Sequence, residues 1–331
     1  MKRMFQLGHR PGLDTLRGVA VVLVVVAHLH VPGFAGGGQT GVVMFFVLSG
    51  FLITRLLIEE RARTGSVSLT GFYRRRAVRL LPALFVFLTV AVGLGWATVG
   101  QSIPVVGYYG NLVRAWAGTN LGLLSHSWSL AIEEQFYLAW PVALLVLKRP
   151  QRILIAVVAV AWTLRIVAVD QVVHFDTLAR GDAIALGCLA ALYIDTWRPS
   201  RWAFPVGLAA GVLAVTDLFG FRWTVTLAAA AGVMLLAGSL DADRVRLGWF
   251  GKRSYGLYLW HFPLVVLYGW WGLPVALAAT ELSWRLVEQP AQRWRRSKDD
   301  DSESGACHEI SSRVENQLDT VDGRRVLPQA R

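Results

Sequence analysis

Charge is scarce in this chain. Only 17% of its 331 residues are Asp, Glu, Lys or Arg, where a soluble protein carries about a quarter. That shortage argues against a water-soluble enzyme. The hydrophobic 54% of the composition also falls in blocks rather than in stripes. Cysteine is scarcer still. Cys188 sits in an apolar block and Cys307 in a polar stretch, so no disulfide framework is supported. Cys188 reads as a small buried hydrophobe. Internal repeats are lacking, which weighs against the paired inverted halves of a secondary transporter. The loop after the first apolar run, VPGFAGGGQT, has no carboxylate. A lipid-linked glycosyltransferase would want acidic residues there to bind a metal, and no metal site is expected.

What is present is a series of long apolar runs. About 20 apolar residues span the hydrocarbon core. Ten runs are read, over 13–31, 41–58, 80–99, 128–147, 153–169, 180–195, 203–218, 223–240, 255–271 and 273–288. The net charge of +11 is distributed unevenly between them. The N-terminus carries Lys2, Arg3 and Arg10, and the 59–79 gap carries Arg61, Arg63, Arg74, Arg75, Arg76 and Arg79. Every second gap after that is basic: Lys148, Arg149 and Arg152; then Arg198 and Arg201; then Arg244, Arg246, Lys252 and Arg253; then Arg293, Arg295, Arg296 and Lys298. The intervening gaps hold Arg114, and Arg222 at an edge. Cytoplasmic loops collect Lys and Arg. The sequence therefore predicts an all-α, polytopic membrane helix bundle of ten transmembrane helices with both termini cytoplasmic. Nucleic-acid binding is rejected, because the arginines lie in short gaps and no basic domain exists to hold a phosphate backbone.

The bundle is expected over residues 1–296, with 297–331 a disordered cytoplasmic tail, polar and aperiodic. Residues 1–31 have the basic start of a signal peptide, but Asp14 and Arg17 intrude and no small-x-small site follows, so retention is expected. The segment 100–127 reads as re-entrant or interfacial, with Tyr108, Tyr109 and Trp116 at headgroup level.

Polar residues inside such runs carry the functional information. In RGVAVVLVVVAH, Arg17 and His28 are eleven residues apart. That is close to three turns, so both share one face, about 16 Å apart along the axis. Asp14 shares the face of Arg17. Arg17 reads either as an ion-pair partner of Asp14 that snorkels or as a functional intramembrane cation. His28 reads either as an interhelical hydrogen-bonding residue or as a reactive one. In GVVMFFVLSGFLITRLL, Ser49 and Gly50 suit close helix packing. FYRRRAVRLLP crowds Arg74, Arg75, Arg76 and Arg79 at the entrance of the third run. Guanidinium forks suit phosphate, so a polyphosphorylated ligand is expected there. HSWSLAIEEQFYLAWP carries His126, Ser129, Glu133 and Glu134. Adjacent helical residues point about 100° apart, so one carboxylate is expected to face inward. Arg180 and Asp182 follow at an outer edge, His261 sits mid-run, and Glu281 and Arg285 form an i,i+4 pair that reads as structural. Glu288 falls near the basic end.

Together these stretches resemble the membrane acyltransferase-3 family, which includes bacterial O-antigen and macrolide acyltransferases. The matching segments are LDTLRGVAVVLVVVAHL, GVVMFFVLSGFLI, FYRRRAVRLLPA, HSWSLAIEEQFYLAWP, RGDAIALG, SYGLYLWHFPL and SWRLVEQP, in order over residues 12–291. The resemblance implies ten transmembrane helices and transfer from a cytosolic acyl-CoA, with acetyl-CoA the first expectation. It implies that Arg17 and His28 are essential, that Arg76 and Arg79 help to hold the coenzyme, and that Glu133 and Glu134 take part. Val43 departs from the acidic or polar residue often found in its place. No soluble esterase-like domain follows the bundle in this sequence, so direct transfer rather than relay through such a domain is expected.

Depth then orders the site. Arg74, Arg75, Arg76 and Arg79 are expected to bind the nucleotide end, with the pantetheine arm passing Arg17. His28 is the expected general base for an acceptor hydroxyl arriving from the outer side, and Glu133 or Glu134 would orient His28 or the acceptor. His126, Ser129, Asp182 and His261 are the expected acceptor-binding residues. The acceptor is a glycan, a lipid-linked sugar or a macrolide-like molecule, within membrane lipid of a bacterial-type cytoplasmic membrane. The rival reading is a transporter of an anionic solute.

Overall fold

The structure, a computed structural model, describes residues 6–196, 200, 202–240, 242 and 247–295. The tail expected over 297–331 lies outside the described residues, as do Lys2, Arg3, Arg198, Arg201, Arg244, Arg246, Arg296 and Lys298. Among the described residues every regular element is helical. The chain runs through α1 (Pro11–His28), α2 (Gly37–Thr64), α3 (Leu69–Gly93), α4 (Val99–Val106) and α5 (Gly110–Ala117). A 3₁₀ turn (Gly122–Ser127) leads into α6 (Trp128–Val146), followed by α7 (Pro150–Val167), α8 (Asp170–Phe175) and α9 (Gly181–Tyr193). Then come α10 (Ala203–Thr216), α11 (Phe221–Ser239), α12 (Gly248–Lys252), α13 (Ser254–Tyr268) and α14 (Gly272–Ser283). A 3₁₀ turn (Gly269–Trp271) joins the last two, and α14 continues into a π-helical turn (Trp284–Glu288).

Each of the ten apolar runs falls on one of these helices. Six segments are long and apolar enough to cross a membrane: Pro11–His28, Gly37–Thr64, Leu69–Gly93, Pro150–Val167, Phe221–Ser239 and the continuous Ser254–Arg295. α9 and α10 are apolar but shorter. The outside of the bundle is apolar, with Phe85, Leu138, Ile155, Ile166, Leu208 and Leu282 among its exposed side chains. An exposed apolar surface of this extent calls for a lipid or protein environment.

Local chemistry sets the helix ends. Pro11 takes the first position of α1, where its missing N–H costs nothing. Gly65, at φ +78°, closes α2 in the left-handed conformation that glycine adopts without strain. The Ser68 side chain accepts a hydrogen bond from Gly71 N at 3.1 Å and starts α3. α3 therefore begins eleven residues before the apolar run read at 80–99 and ends at Gly93. The arginine-rich stretch expected in a gap is the first part of this helix. Arg76 and Arg79, three apart, consequently share a face.

α2 is the centre of the bundle, packed against α1, α9 and α11. Its contact with α9 is nearly backbone to backbone. A Cβ at Gly50 would fall 2.1 Å from the Ile184 carbonyl oxygen, and one at Gly187 would fall 2.1 Å from that of Val47. Small residues permit this approach where lipid offers no hydrophobic drive between helices. The packing read for Gly50 is thus present. Cys188 lies fully buried beside it.

Gly50→Ala and Gly187→Ala are each expected to destabilise the protein by about 1–3 kcal/mol, the range for overpacking a close interface. The check is the thermal midpoint in detergent. Gly93→Ala, where an added Cβ meets nothing within 4 Å, is expected to leave that midpoint unchanged.

Candidate active site

A large cavity of about 1430 Å³ opens at one end of the bundle. Gln6 and Arg295, close to the two ends of the described chain, both line it. Its walls carry Arg17 from α1 and Arg75, Arg76 and Arg79 from α3, facing Tyr255 and Glu288. Lys252, Arg63, Arg293 and Arg295 add further positive charge. Arg74 is exposed and is not among the lining residues. Of the four arginines expected to act together, three therefore line one cavity.

Their states differ. Arg75 is paired with Glu60 at 3.0 Å. Arg17 is paired with Asp14 at 3.2 Å, so the ion pair read from the sequence forms while Arg17 still faces the cavity. Arg76 stacks on the Tyr137 ring, 3.3 Å from its centroid, and lies 3.6 Å from Glu134. Its Nε has no hydrogen-bond partner. Arg79 makes no ion pair among the described residues and presents its side chain to the open space. The charges of Arg17 and Arg76 reach Arg79 electrostatically, as does that of Glu288. The π-helical turn that carries Glu288 is a feature often found at functional sites.

On α6 both adjacent carboxylates point into the protein, contrary to the expectation of one. Glu133 accepts a hydrogen bond from Ser49 Oγ of α2 at 2.7 Å, and Ser49 accepts one from the Tyr137 hydroxyl at 2.7 Å. Glu134 turns to Arg76 of α3. The next residue, Gln135, donates to Tyr108 O and Asn111 Oδ1 and accepts from Thr177. Because α6 is surrounded, successive side chains find different partners. Neither glutamate is bonded to His28, so these contacts do not orient that ring.

His28, at the far end of α1, belongs to a second group. Its Nδ1 lies 2.8 Å from Val24 O, a carbonyl that can only accept, so the proton is on Nδ1. Nε2 of His28 is then unprotonated and basic. His261 Nδ1 likewise donates to Leu257 O and Tyr258 O, which leaves its Nε2 bare, 3.4 Å from His28 Nδ1. His126 is buried, stacked on Phe262, and its ring lies 5.8 Å from that of His261 between centroids. Neither nitrogen of His126 has a hydrogen-bond partner. Ser129 bonds the Tyr258 hydroxyl, which donates to His126 O. Thus His28, His126, Ser129 and His261 converge. The basic cavity does not reach His28. Val21, Val25 and Leu257 form an apolar cluster beside it.

Asp182 stands apart from this group. It is fully buried and paired with Arg165 of α7 at 2.8 Å, with Trp162 Nε1 also donating to it. Arg165 in turn donates to Thr226 of α11. Its geometry is that of an interhelical tie. The sequence reading also missed Tyr137, Tyr255 and Tyr258. Tyr137 could have been found, since it lies one helical turn after Glu133. The Glu281–Arg285 pair forms as read, at 2.5 Å, and Arg253 joins it at 2.6 Å. Among the described residues no group of three or more His, Cys, Asp or Glu is arranged to hold a metal ion.

Asp182→Asn is expected to destabilise the fold by about 3–5 kcal/mol, since it leaves Arg165 buried and uncompensated. The double change Arg165→Met with Asp182→Leu should recover most of that loss in the thermal midpoint. Normal stability of Asp182→Asn with a loss confined to substrate affinity would contradict the structural role.

The model of an acyltransferase-domain family matches residues 10–287. The chain is 30% identical to peptidoglycan O-acetyltransferase OatA of Listeria monocytogenes, over 88% of this chain and 58% of that protein. It is 29% identical to O-acetyltransferase OatA of Staphylococcus aureus, over 88% and 59% respectively. It is 31% identical to the putative peptidoglycan O-acetyltransferase YrhL of Bacillus subtilis, over 84% and 51%. The chain thus spans little more than half the length of these relatives. No solved structure matches it.

Proposed function

The chain belongs to the acyltransferase-3 family, and from that premise we propose that it is an integral-membrane O-acetyltransferase. It moves an acetyl group from acetyl-CoA on the cytoplasmic side to a glycan hydroxyl on the outer side of a bacterial cytoplasmic membrane. The ten helices that carry the apolar runs cross the bilayer, and both termini are cytoplasmic. The Lys and Arg distribution supports that orientation, because the end of the bundle that holds the basic cavity is also the one where the described chain begins and ends. Relatives named for peptidoglycan acetylation support the choice of a glycan over a macrolide-like acceptor.

One observation carries this reading: α1 joins two chemically different sites. Arg17 lines the phosphate-compatible cavity and His28, with a bare Nε2, lies about 16 Å further along the same helix. The cavity fits a polyanionic coenzyme. Arg79 is unpaired among the described residues, and Arg76 Nε is a buried donor without an acceptor. A buried donor in that state calls for one. Arg76 and Arg79 hold the phosphates, with Arg75 already engaged by Glu60. Arg74 takes no direct part.

Coenzyme A, when bound, presents the acyl group as a thioester. Val21 and Val25, buried in one apolar cluster with Leu257, stand on α1 between Arg17 and His28, and this packing has to part for the acyl group to reach His28. His28 Nε2 removes the proton of the attacking acceptor hydroxyl and returns it to the departing sulfur. A positioned base of this kind contributes about 10²–10⁴-fold in rate. Val24 O holds the His28 tautomer and His261 packs against it. Glu133 and Glu134 act through Ser49 and Arg76, positioning the cavity wall rather than the base.

The test uses purified protein in liposomes with radiolabelled acetyl-CoA and peptidoglycan fragments. His28→Ala is expected to lower kcat by about 10²–10⁴-fold. Arg79→Gln is expected to raise the donor KM about tenfold or more, since a hydrogen bond to a charged group contributes about 1.5–3 kcal/mol. Undiminished label transfer by His28→Ala would remove the base assignment. Folded protein that binds no acetyl-CoA would remove the donor.

A further inference from the structure

The end of the bundle opposite the basic cavity carries Arg114, Arg165, Arg180 and Arg222, against the general shortage of cations in these connections. Two of them are explained by carboxylates. Arg165 pairs with Asp182 at 2.8 Å and Arg222 with Asp170 at 2.6 Å. Arg114 and Arg180 have no carboxylate partner among the described residues. The other two aspartates at this end are held by neutral donors: Asp176 by the N–H groups of Leu178 and Ala179 and the Trp116 indole, Asp217 by Thr224. Arg180 is almost fully buried, and its Nε and Nη1 lack acceptors. Buried charges are ordinarily paired.

The hydrogen bonds that do form fix a direction. Arg180 can only donate, so the Gln39 oxygen faces it at 2.9 Å and the Gln39 nitrogen faces His174 Nε2 at 2.8 Å. An amide nitrogen donates, so His174 Nε2 accepts and the ring proton is on Nδ1. Burial, with the nearby charges of Arg180 and Arg114, pushes the His174 pKa down to about 3, which keeps the ring neutral. The His174 Nδ1–H finds no acceptor in the described residues. His174 lies on the wall of a pocket of about 380 Å³ that also shows Arg114, Thr119, Asn120, Gln171 and Phe175. Pockets of about 300–1,000 Å³ hold small ligands. The Arg114 guanidinium sits 3.9 Å over the Phe175 ring and donates to Ser125 O. Asp170 also lines the pocket, exposed and paired with Arg222. The pocket thus offers Arg114, an imidazole, neutral amides and a hydroxyl, with Arg180, held over the Trp128 and Phe221 rings, behind.

We propose that this pocket is the subsite for an oxyanion on the sugar acceptor, held by Arg114 and the His174 Nδ1–H, with Arg180 as the positioning residue that orients His174 through Gln39. The amides and Thr119 suit sugar hydroxyls. The inference deepens the transferase reading, on which it rests, by making the acceptor an acidic rather than a neutral glycan. A carboxylate or a phosphate ester would supply the same chemistry.

The experiment measures binding without the donor, so its outcome does not depend on acyl transfer. The whole protein in nanodiscs of zwitterionic lipid is titrated calorimetrically with a hexosamine disaccharide bearing one carboxylate, with its carboxamide, and with its phosphate monoester. At least tenfold tighter binding of either anion than of the amide is expected, and the tighter anion names the source. Arg114→Gln should abolish the difference. Arg180→Gln should reduce it, and Arg180→Lys, which keeps the charge, should restore part of it. Thermal midpoints exclude misfolding as the cause. Equal binding of acid and amide by wild type, or loss of disaccharide binding when acidic phospholipid is added to the nanodisc, overturns the proposal. Anion-selective binding by a protein that fails to transfer acetyl would sink the transferase reading and leave the subsite standing.

Discussion

A carboxylate inside an apolar bundle persists only where a donor meets it, and α6 carries two in succession. That constraint organises much of the interior. Glu133 draws Ser49 of the central helix and, through it, Tyr137. Glu134 draws Arg76, which stacks on the same tyrosine. With Gln135 reaching α5, three consecutive residues of α6 fix the positions of three neighbours. The inner wall of the basic cavity is in this sense a by-product of satisfying α6. The two arginines best placed for phosphate differ because of it. Arg76 stacks on a ring 3.6 Å from a carboxylate, while Arg79, three residues on, makes no ion pair among the described residues.

The two ends of α1 are polar for opposite reasons. At Arg17 the environment is open, charged and shared with solvent. At His28 it is aromatic and nearly free of charge, with Phe262, His126 and His261 around the ring. The hydrogen bonds to carbonyl oxygens assign the tautomers of His28 and His261.

The architecture was legible because burial in lipid writes long apolar runs into the chain, and each of the ten fell on a helix. Two readings failed for identifiable reasons. The start of α3 lies earlier than the apolar run because its first turns are basic and carry no apolar signal. The expectation of a single inward carboxylate treated α6 as having one buried face, whereas it is enclosed on several sides. The tie between Asp182 and Arg165 was not legible, because the two lie on different helices and nothing in the sequence links them. The shared face of Arg17 and His28 was legible through spacing, because helical periodicity fixes it, whereas the pair Arg76 and Arg79 was singled out by the family resemblance and only the helical start of α3 shows that they share a face.

The length of α2 divides the cavity in two. Its 28 residues make a rod of about 42 Å, against a hydrocarbon core of about 30 Å. The excess, which carries Glu59, Glu60 and Arg63 on the cavity wall, stands in water. There the Debye length is about 8 Å at physiological ionic strength, so rim charges are felt only at short range and their attraction weakens as salt rises. Arg79, on the α3 wall beside Arg17 and Arg76, is itself exposed to the cavity. Salt therefore weakens the field of the cavity at its arginines as well as at its rim.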